Sequence, residues 1–358
     1  MTRALAFALR ALPALLAVAV ALGFAALVAA AGGHAPGRAV AALVEGSLGS
    51  AENVADVLVR ATPLVFTGAA VMLAFRSGIF NIGAEGQFLV GALAAGVVGT
   101  RTGSYPGQAL VAMFAGILAG AAWAALPALF RIRRGVSEVI TTILLNFVAL
   151  YLVSFAVNGP LQERTRTYPQ SDPLAATAEL WQIAPGVDER LHAGIPLAFL
   201  LAIGAGALLS RTSLGLRLRA AGLNADAART AGFPVVRDLA LAFALSGAIA
   251  GLGGAVELAG VTHRLYEKMS PGYGYTAIAV ALLGGLRVPG MLAGAVFFAA
   301  LGAGATSMEQ TVGVSAVLAV AVQGATLLAV ALLGAPAAAR WLERRTGRTP
   351  SDAAGETS

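Results

Sequence analysis

The sequence contains no cysteine, a single lysine (Lys268) and only three histidines, His34, His192 and His263. Each shortage removes a class of function. Without cysteine there is no disulfide framework and no cysteine-ligated metal site. The lone lysine follows Glu267, so no Gly-x-x-x-x-Gly-Lys-Ser/Thr phosphate loop exists, and the chain is not expected to hydrolyse ATP itself. The histidines fall in predicted external connections. With no His/Glu metal cluster and no nucleophile beside a base, a membrane enzyme is disfavoured, and neither a metal nor a cofactor is expected.

Charge is scarce as well. Of the 358 residues 12% are charged and 58% hydrophobic, against roughly 25% charged in an ordinary soluble domain. A chain of this length has enough residues for a large core but too few polar ones to cover it. Apolar runs of membrane-spanning length, about 17–25 residues, recur throughout. The net charge of +6 comes almost wholly from arginine. These arginines sit in short connections between apolar runs, where they set topology. Nucleic acid binding would need a basic patch on a soluble surface, so membrane lipid is the expected partner and nucleic acid is not.

The expected fold is therefore an all-α integral membrane protein of about ten transmembrane helices, some short or broken, with both termini cytoplasmic. The membrane domain covers 1–345, with spans near 11–31, 61–75, 85–99, 107–130, 139–157, 194–209, 239–258, 275–286, 291–306 and 312–333. Arg3 and Arg10 precede the first run, and small residues follow it as in a signal peptide. The run is longer than a cleavable apolar region, so an uncleaved first helix is expected. With this alternation the inner connections hold most of the arginines, including the clusters Arg131 to Arg134, Arg211 to Arg237 and Arg340 to Arg348. An eight-span variant with two short segments folded back keeps the same clusters inside. Val40, Val44 and Leu48 recur at helical spacing within 33–60 and predict a short interfacial helix. The proline-bearing stretch 158–191 reads as an ordered external loop, and 346–358 as a disordered tail.

Polar residues within such segments are costly and therefore informative. The richest run is Phe80, Asn81, Ile82, Gly83, Ala84, Glu85, Gly86 and Gln87. It suits a backbone that unwinds and then restarts as a helix, with Asn81 as cap and Glu85 in the first turn. This is either a bend beside a translocation path or a device for capping and interhelical packing. A second run extends from Ser137 to Asn146. Glu138 is placed for an ion pair with Arg131 to Arg134, and Asn146, with Thr142 on its face, for a bond to a neighbouring helix. Ser246 and Gln323 carry the same expectation. The small-residue stretch from Ser246 to Gly254 predicts close helix packing.

The longest inner connection is 210–237. Asn224 is an N-cap, Asp226 sits in the first turn, alanines fill the middle, Gly232 is a stop and Pro234 follows. About two turns of small-sided helix either dock into a groove on a partner or serve as a solvated connector.

Gly222, Asn224, Ala227, Ala228, Arg229 and Gly232, at this spacing between spans, resemble the coupling helix of ABC importer permeases. The run from Phe80 to Gln87, the run from Glu138 to Asn146, the sequence Ser270-Pro271-Gly272-Tyr273-Gly274-Tyr275 and the run from Ile278 to Gly284 resemble the branch serving nucleosides and simple, ribose-like sugars. These matches stand in order from about Leu58 to Gly290. Gly285, Leu286, Arg287 and Val288 depart from the more polar turn common in that branch. The resemblance implies a transport subunit whose partners are separate ABC ATPase subunits, a second permease subunit (identical or paralogous) and an external solute-binding protein. It implies coupling through Gly222, Asn224, Asp226, Ala227, Ala228, Arg229 and Gly232. Asn81, Glu85, Gln87 and Asn146 are the candidates for the path or gate. The alternatives are a stand-alone secondary transporter, against which the neutral character of the mid-span polar residues speaks, and an ABC permease for pentoses or branched-chain amino acids.

Overall fold

The computed structural model describes residues 18–314 together with 321, 324 and 325. The expected span 312–333, Gln323 and the tail 346–358 lie wholly or largely outside these residues, as does the start of the first span. Among the described residues the chain is almost entirely helical, and its β pairing is confined to the isolated bridges Gln170–Tyr266 and Gln182–His192. The helices are α1 (Val18–Ala31), α2 (Pro36–Leu48), α3 (Ala51–Arg76), α4 (Ala84–Arg101), α5 (Gln108–Arg134), α6 (Glu138–Asn158), α7 (Gly194–Arg211), α8 (Ser213–Leu223), α9 (Ala225–Thr230), α10 (Val235–Glu257), α11 (Tyr273–Leu283) and α12 (Val288–Val312). Among the described residues six helices are long and apolar enough to cross a membrane: α3, α5, α6, α7, α10 with its extension to Thr262, and α12.

Helix bounds depart from the apolar runs where a helix carries polar turns at its end. α3 begins at Ala51, well before 61, because Ser50 caps it through Asn53 N–H (3.2 Å) and Arg60 pairs with Asp56 one turn back at 2.6 Å. The interfacial helix expected within 33–60 is thus α2 alone. α12 likewise continues past 306 to Val312. α4 is less apolar, with Glu85 and Gln87 in its first turn and Arg101 in its last.

The contact pattern divides the chain into two compact units, one containing Ser47–Ala300 and the other the segments on either side. In the second, Ala29, Ala39, Ala42, Met308 and Val314 form a small core. There α2 lies against the end of α12 at backbone distance: a Cβ on Gly304 would sit 2.2 Å from the Leu43 carbonyl oxygen.

In the larger unit α3 is buried from Ala61 to Ala74. α4, α5 and α10 meet along a seam of glycines. A Cβ on Gly120 would lie 2.2 Å from the Gly247 oxygen, one on Gly251 2.3 Å from the Gly116 oxygen, and one on Gly254 2.0 Å from the Phe88 oxygen. Only glycine permits this approach, which replaces side-chain interdigitation with backbone van der Waals contact. Outward faces remain apolar: α6 exposes Ile140, Leu144, Phe147, Tyr151 and Phe155 in one helical stripe, as a helix facing lipid does.

The stretch 158–191 is ordered. Glu163 accepts from Gln170 Nε2 at 2.7 Å and Tyr168 N–H at 3.0 Å, and pairs with Arg264 at 3.3 Å. The Gln170 bond above all holds its carboxyl below the usual carboxylate range. Backbone bonds from Ser171 to Leu265, Leu174 to His263 and Leu180 to Ala259 tie this stretch to the end of α10.

Candidate translocation node and coupling segment

The chain leaves α3 at Arg76 and re-enters a helix only at Ala84. Gly78 turns it with φ +72°. The expectation that Asn81 caps α4 is corrected by the geometry. The N-cap position is Gly83, and Asn81, two residues earlier, accepts the Gly83 N–H on Oδ1 at 2.9 Å. Asn81 thus closes the turn before the helix. Its amide is then spent on partners. Nδ2 donates to Gln87 Oε1 at 2.9 Å and to Ser246 Oγ at 2.8 Å, while Gln87 Nε2 donates back to Oδ1 at 3.1 Å. Ser246 in turn donates to the Ala70 carbonyl at 2.9 Å. One buried network thus joins α3, the unwound segment, α4 and α10, and every bond in it satisfies a group that would be expensive in a membrane interior.

Asn146 supplies the second half of the node. Its Oδ1 accepts from Gly86 N–H at 2.9 Å, and its Nδ2 donates to the Ile82 carbonyl at 2.9 Å and to the Tyr275 hydroxyl at 3.2 Å. α6 therefore satisfies the backbone groups that the broken helix frees, as the sequence reading expected of an asparagine at that depth.

Glu85 faces a different helix. Its Oε2 accepts from Gly274 N–H at 2.7 Å, in the first turn of α11. A Cβ on Gly274 would lie 2.2 Å from the Glu85 nitrogen, so the starts of α4 and α11 touch. Ser270 caps α11 by accepting from Gly272 and Tyr273 N–H at 3.2 and 3.1 Å, and its hydroxyl lies near the Glu85 carboxyl. A carboxylate between two helix N-termini is favoured by both dipoles. Glu138 forms the expected ion pair with Arg131 at 2.5 Å and also accepts the Phe80 N–H at 3.4 Å, joining the end of α5 and start of α6 to the unwound segment.

The coupling candidates lie on α8 and α9. Asn224 Oδ1 accepts from Asp226 and Ala227 N–H, both at 3.0 Å, and caps α9. Gly232, at φ +83°, follows the helix end. Ala228 is buried, while Asp226, Ala227 and Arg229 are exposed, with Arg229 paired to Asp226 at 2.7 Å. α8 is fixed to the fully buried Asp238 at the start of α10 through Arg217, with contacts of 3.1 to 3.3 Å. Gly222 packs against the α3–α4 connection: its Cβ would lie 2.6 Å from the Arg76 oxygen. Asn81, Glu85, Gln87 and Asn146 are thus brought into one node, and of the coupling candidates Gly222 alone touches the segment that builds it.

The sequence reading missed Gly78, the far side of that contact, and Tyr275, the partner of Asn146. It also missed Leu223, a leucine 89% exposed at the end of α8. The Tyr273-Gly274-Tyr275 motif signalled the second of these. Nothing local signalled the others.

Among the described residues the chain is nearly all helical, with several helices long and apolar enough to cross a membrane and a buried polar node at broken helix ends, which is the build of a multi-pass membrane protein. Comparison with known proteins fixes the class. Residues 53–331 match the family described as branched-chain amino acid transport system, permease component. The chain is 39% identical over 292 residues to a glucose ABC transporter permease protein of Haloferax volcanii, covering 79% of this chain and 77% of that protein. It is 35% identical over 308 residues to a guanosine ABC transporter permease protein of Bacillus subtilis, covering 84% and 87%. It is 31% identical over 271 residues to a nucleoside ABC transporter permease protein of Lactococcus lactis subsp. cremoris, covering 73% and 74%. No solved structure matches significantly. The chain belongs to this permease family. It is an ABC transporter permease subunit and not an enzyme, ATP hydrolysis residing on a separate subunit, and the stand-alone transporter reading is not favoured.

Proposed function

We propose that the chain forms the translocation path of an ATP-driven importer for nucleosides or related simple sugars. Two of the three relatives above are named for guanosine or nucleosides, and the third for glucose. The polar node, built from neutral amides, hydroxyls and one carboxylate, suits solutes recognised through hydrogen bonds. Its partners are two ATPase subunits, a second permease subunit, identical or paralogous, an external solute-binding protein and membrane lipid. We read the six long helices, with α1, α4 and α11, as nine of about ten spans, and the arginine distribution as the ground for cytoplasmic termini.

The observation that carries the mechanism is the backbone contact between Gly222 and the α3–α4 connection. ATP-driven closure of the ATPases displaces α9, and α8 transmits the displacement through Gly222 to the segment 77–83. That segment holds Asn81 and leads directly into Glu85, so the node is the element that rearranges between inward- and outward-facing states. Leu223, Asp226, Ala227 and Arg229 form the exposed face that meets the ATPase.

The test is uptake of labelled uridine, adenosine and glucose by cells expressing the permease with its ATPase and binding protein. Ribose and leucine serve as competitors, and an inactivated ATPase as control. ATP-dependent uptake blocked by nucleosides or glucose and not by leucine supports the proposal, and uptake that persists without the ATPase refutes it.

A further inference from the structure

Glu257 closes the α-helical part of α10, where the helix widens into a π-turn over Leu258–Thr262. Single π-turns inside or at the end of α-helices recur at functional sites, because they redirect side chains out of helical register. The Glu257 carboxyl is buried, only 5% of the residue being exposed. The Tyr273 hydroxyl approaches it, yet Oε2 has no hydrogen-bond partner. The buried polar groups of the node are satisfied, as at Asn81, Asn146 and Glu85, whereas around the π-turn Thr262 Oγ1, His263 Nδ1 and His192 Nε2 are also without a hydrogen-bond partner. Of these groups Glu257 alone is a carboxyl, able to accept from a donor and unable to give up its acceptor character by rotating a hydroxyl. A buried carboxyl oxygen left without a donor is unfavourable, and a donor arriving from outside the chain relieves it.

We propose that Glu257, flanked by Tyr273 and Tyr266, is a solute contact on the path. It accepts a hydrogen bond from a hydroxyl of a neutral, polyhydroxylated solute, such as the sugar of a nucleoside or a free hexose. This rests on the proposed importer function and assigns the residue that reads the sugar. Three features locate and type the site. First, it adjoins the node: Tyr273 opens α11, its ring meets that of Phe88 edge-on at 5.6 Å, and Glu85 and Glu257 both lie within its electrostatic range. Second, it reaches the ordered loop region through Tyr266, which pairs with Gln170 and is partly exposed, so a solute entering from that side meets an aromatic face and then the carboxyl. Third, its charges disfavour other solutes. The cation within range of Tyr273 is Arg60, whose guanidinium Asp56 already holds at 2.6 Å. A zwitterionic amino acid finds no free partner for its carboxylate there, whereas a hydroxyl finds an acceptor.

The absence of native cysteine makes the site directly testable. In the assembled transporter, Glu257→Cys places the one thiol of this subunit at the site. A membrane-impermeant methanethiosulfonate reagent is applied with and without guanosine, glucose or leucine, and Thr165→Cys in the 158–191 loop is the control. The expected result is that the transported hydroxylated solute, held by its remaining contacts, covers the thiol and clearly slows labelling at position 257. Leucine has no effect, and labelling at 165 is unchanged throughout. Equal labelling at 257 with and without the transported solute overturns the proposal.

If the cysteine variant does not assemble, the isosteric Glu257→Gln is used. Because the Gln amide oxygen still accepts a hydrogen bond, Glu257→Leu is measured beside it: raised KM for hydroxylated solute in Glu257→Leu at normal complex abundance supports the contact, and wild-type kinetics in Glu257→Leu overturn it. Should the wild type import leucine and neither guanosine nor glucose, the importer reading itself fails. That outcome is visible without any variant, and the inference falls with it.

Discussion

Gly78 and Gly222 meet through their backbones: a Cβ on Gly78 would lie 2.7 Å from the Gly222 Cα, and one on Gly222 2.7 Å from the Gly78 nitrogen. They are distant in sequence, one after α3 and the other near the end of α8. Because neither side of the contact is a flexible side chain, a displacement of α8, as proposed above, is expected to pass into the unwound segment rather than be absorbed locally.

Gly222→Ala therefore forces the two backbones apart. Overpacking of this kind costs typically about 1–3 kcal/mol, which a bundle of this size is expected to survive. Uptake should fall while subunit assembly, read by co-purification with the ATPase, is retained. Wild-type uptake in this variant would remove the contact from the coupling route. Gly78→Ala should be more severe, because position 78 also requires φ +72°.

On α9, Asp226→Lys and Ala227→Trp alter exposed positions whose side chains do not support the fold. Both variants should reach the membrane at normal level and lose solute-dependent ATP hydrolysis. Leu223→Glu should behave alike, since this almost fully exposed side chain lies directly beside the cap of α9. Normal transport in all three would return α9 to the status of a connector.

Asn146→Leu removes the acceptor of Gly86 N–H and the donor to the Ile82 carbonyl. Leaving buried polar groups unpaired costs about 1–3 kcal/mol each, so thermal unfolding in detergent should shift well below wild type. Asn146→Asp, which keeps the acceptor alone, should fall between them.

The sequence carried the architecture further than it carried the site. Apolar runs located the helices because a membrane span must be apolar along its length. They failed at the first turns of α3, where Asp56 and Arg60 satisfy each other. The run from Phe80 to Gln87 announced a break in the helix because glycines and amides cluster there. It could not say that Asn81 would bond Ser246, since that pairing depends on how closely the glycine seam draws α10 to α4. Gly78 and Gly222 were opaque for the same reason: a glycine's role at a long-range backbone contact leaves no local periodicity. Glu257 looked like an ordinary span-end carboxylate because its π-turn has no sequence signature.

His192 gives the pH dependence. Burial first, and the neighbouring His263 second, lower its pKa to about 4, so it is neutral in the fold, where Nδ1 accepts the Gly194 N–H at 3.1 Å. Its unfolded pKa is about 6.5. As pH falls below that value the unfolded chain takes up the proton first, and stability is lost progressively down to about pH 4. The midpoint of thermal unfolding should thus be lower at pH 5 than at pH 7.5, and His192→Gln should narrow the difference. An unchanged pH dependence in that variant would assign the effect elsewhere.

Each helix N-terminus presents about half a unit of positive charge, and the starts of α4 and α11 touch around a single carboxylate, Glu85. The two half-charges and the one negative charge sum to about zero. The helix ends that elsewhere attract phosphate are here already neutralised from within. A node of this kind gives no electrostatic preference to an anion or a cation. With the node on the path, as proposed, a phosphorylated form of the solute would meet the cost of desolvating its charge with nothing in the node to offset it, so the node would discriminate by charge while its own charges cancel.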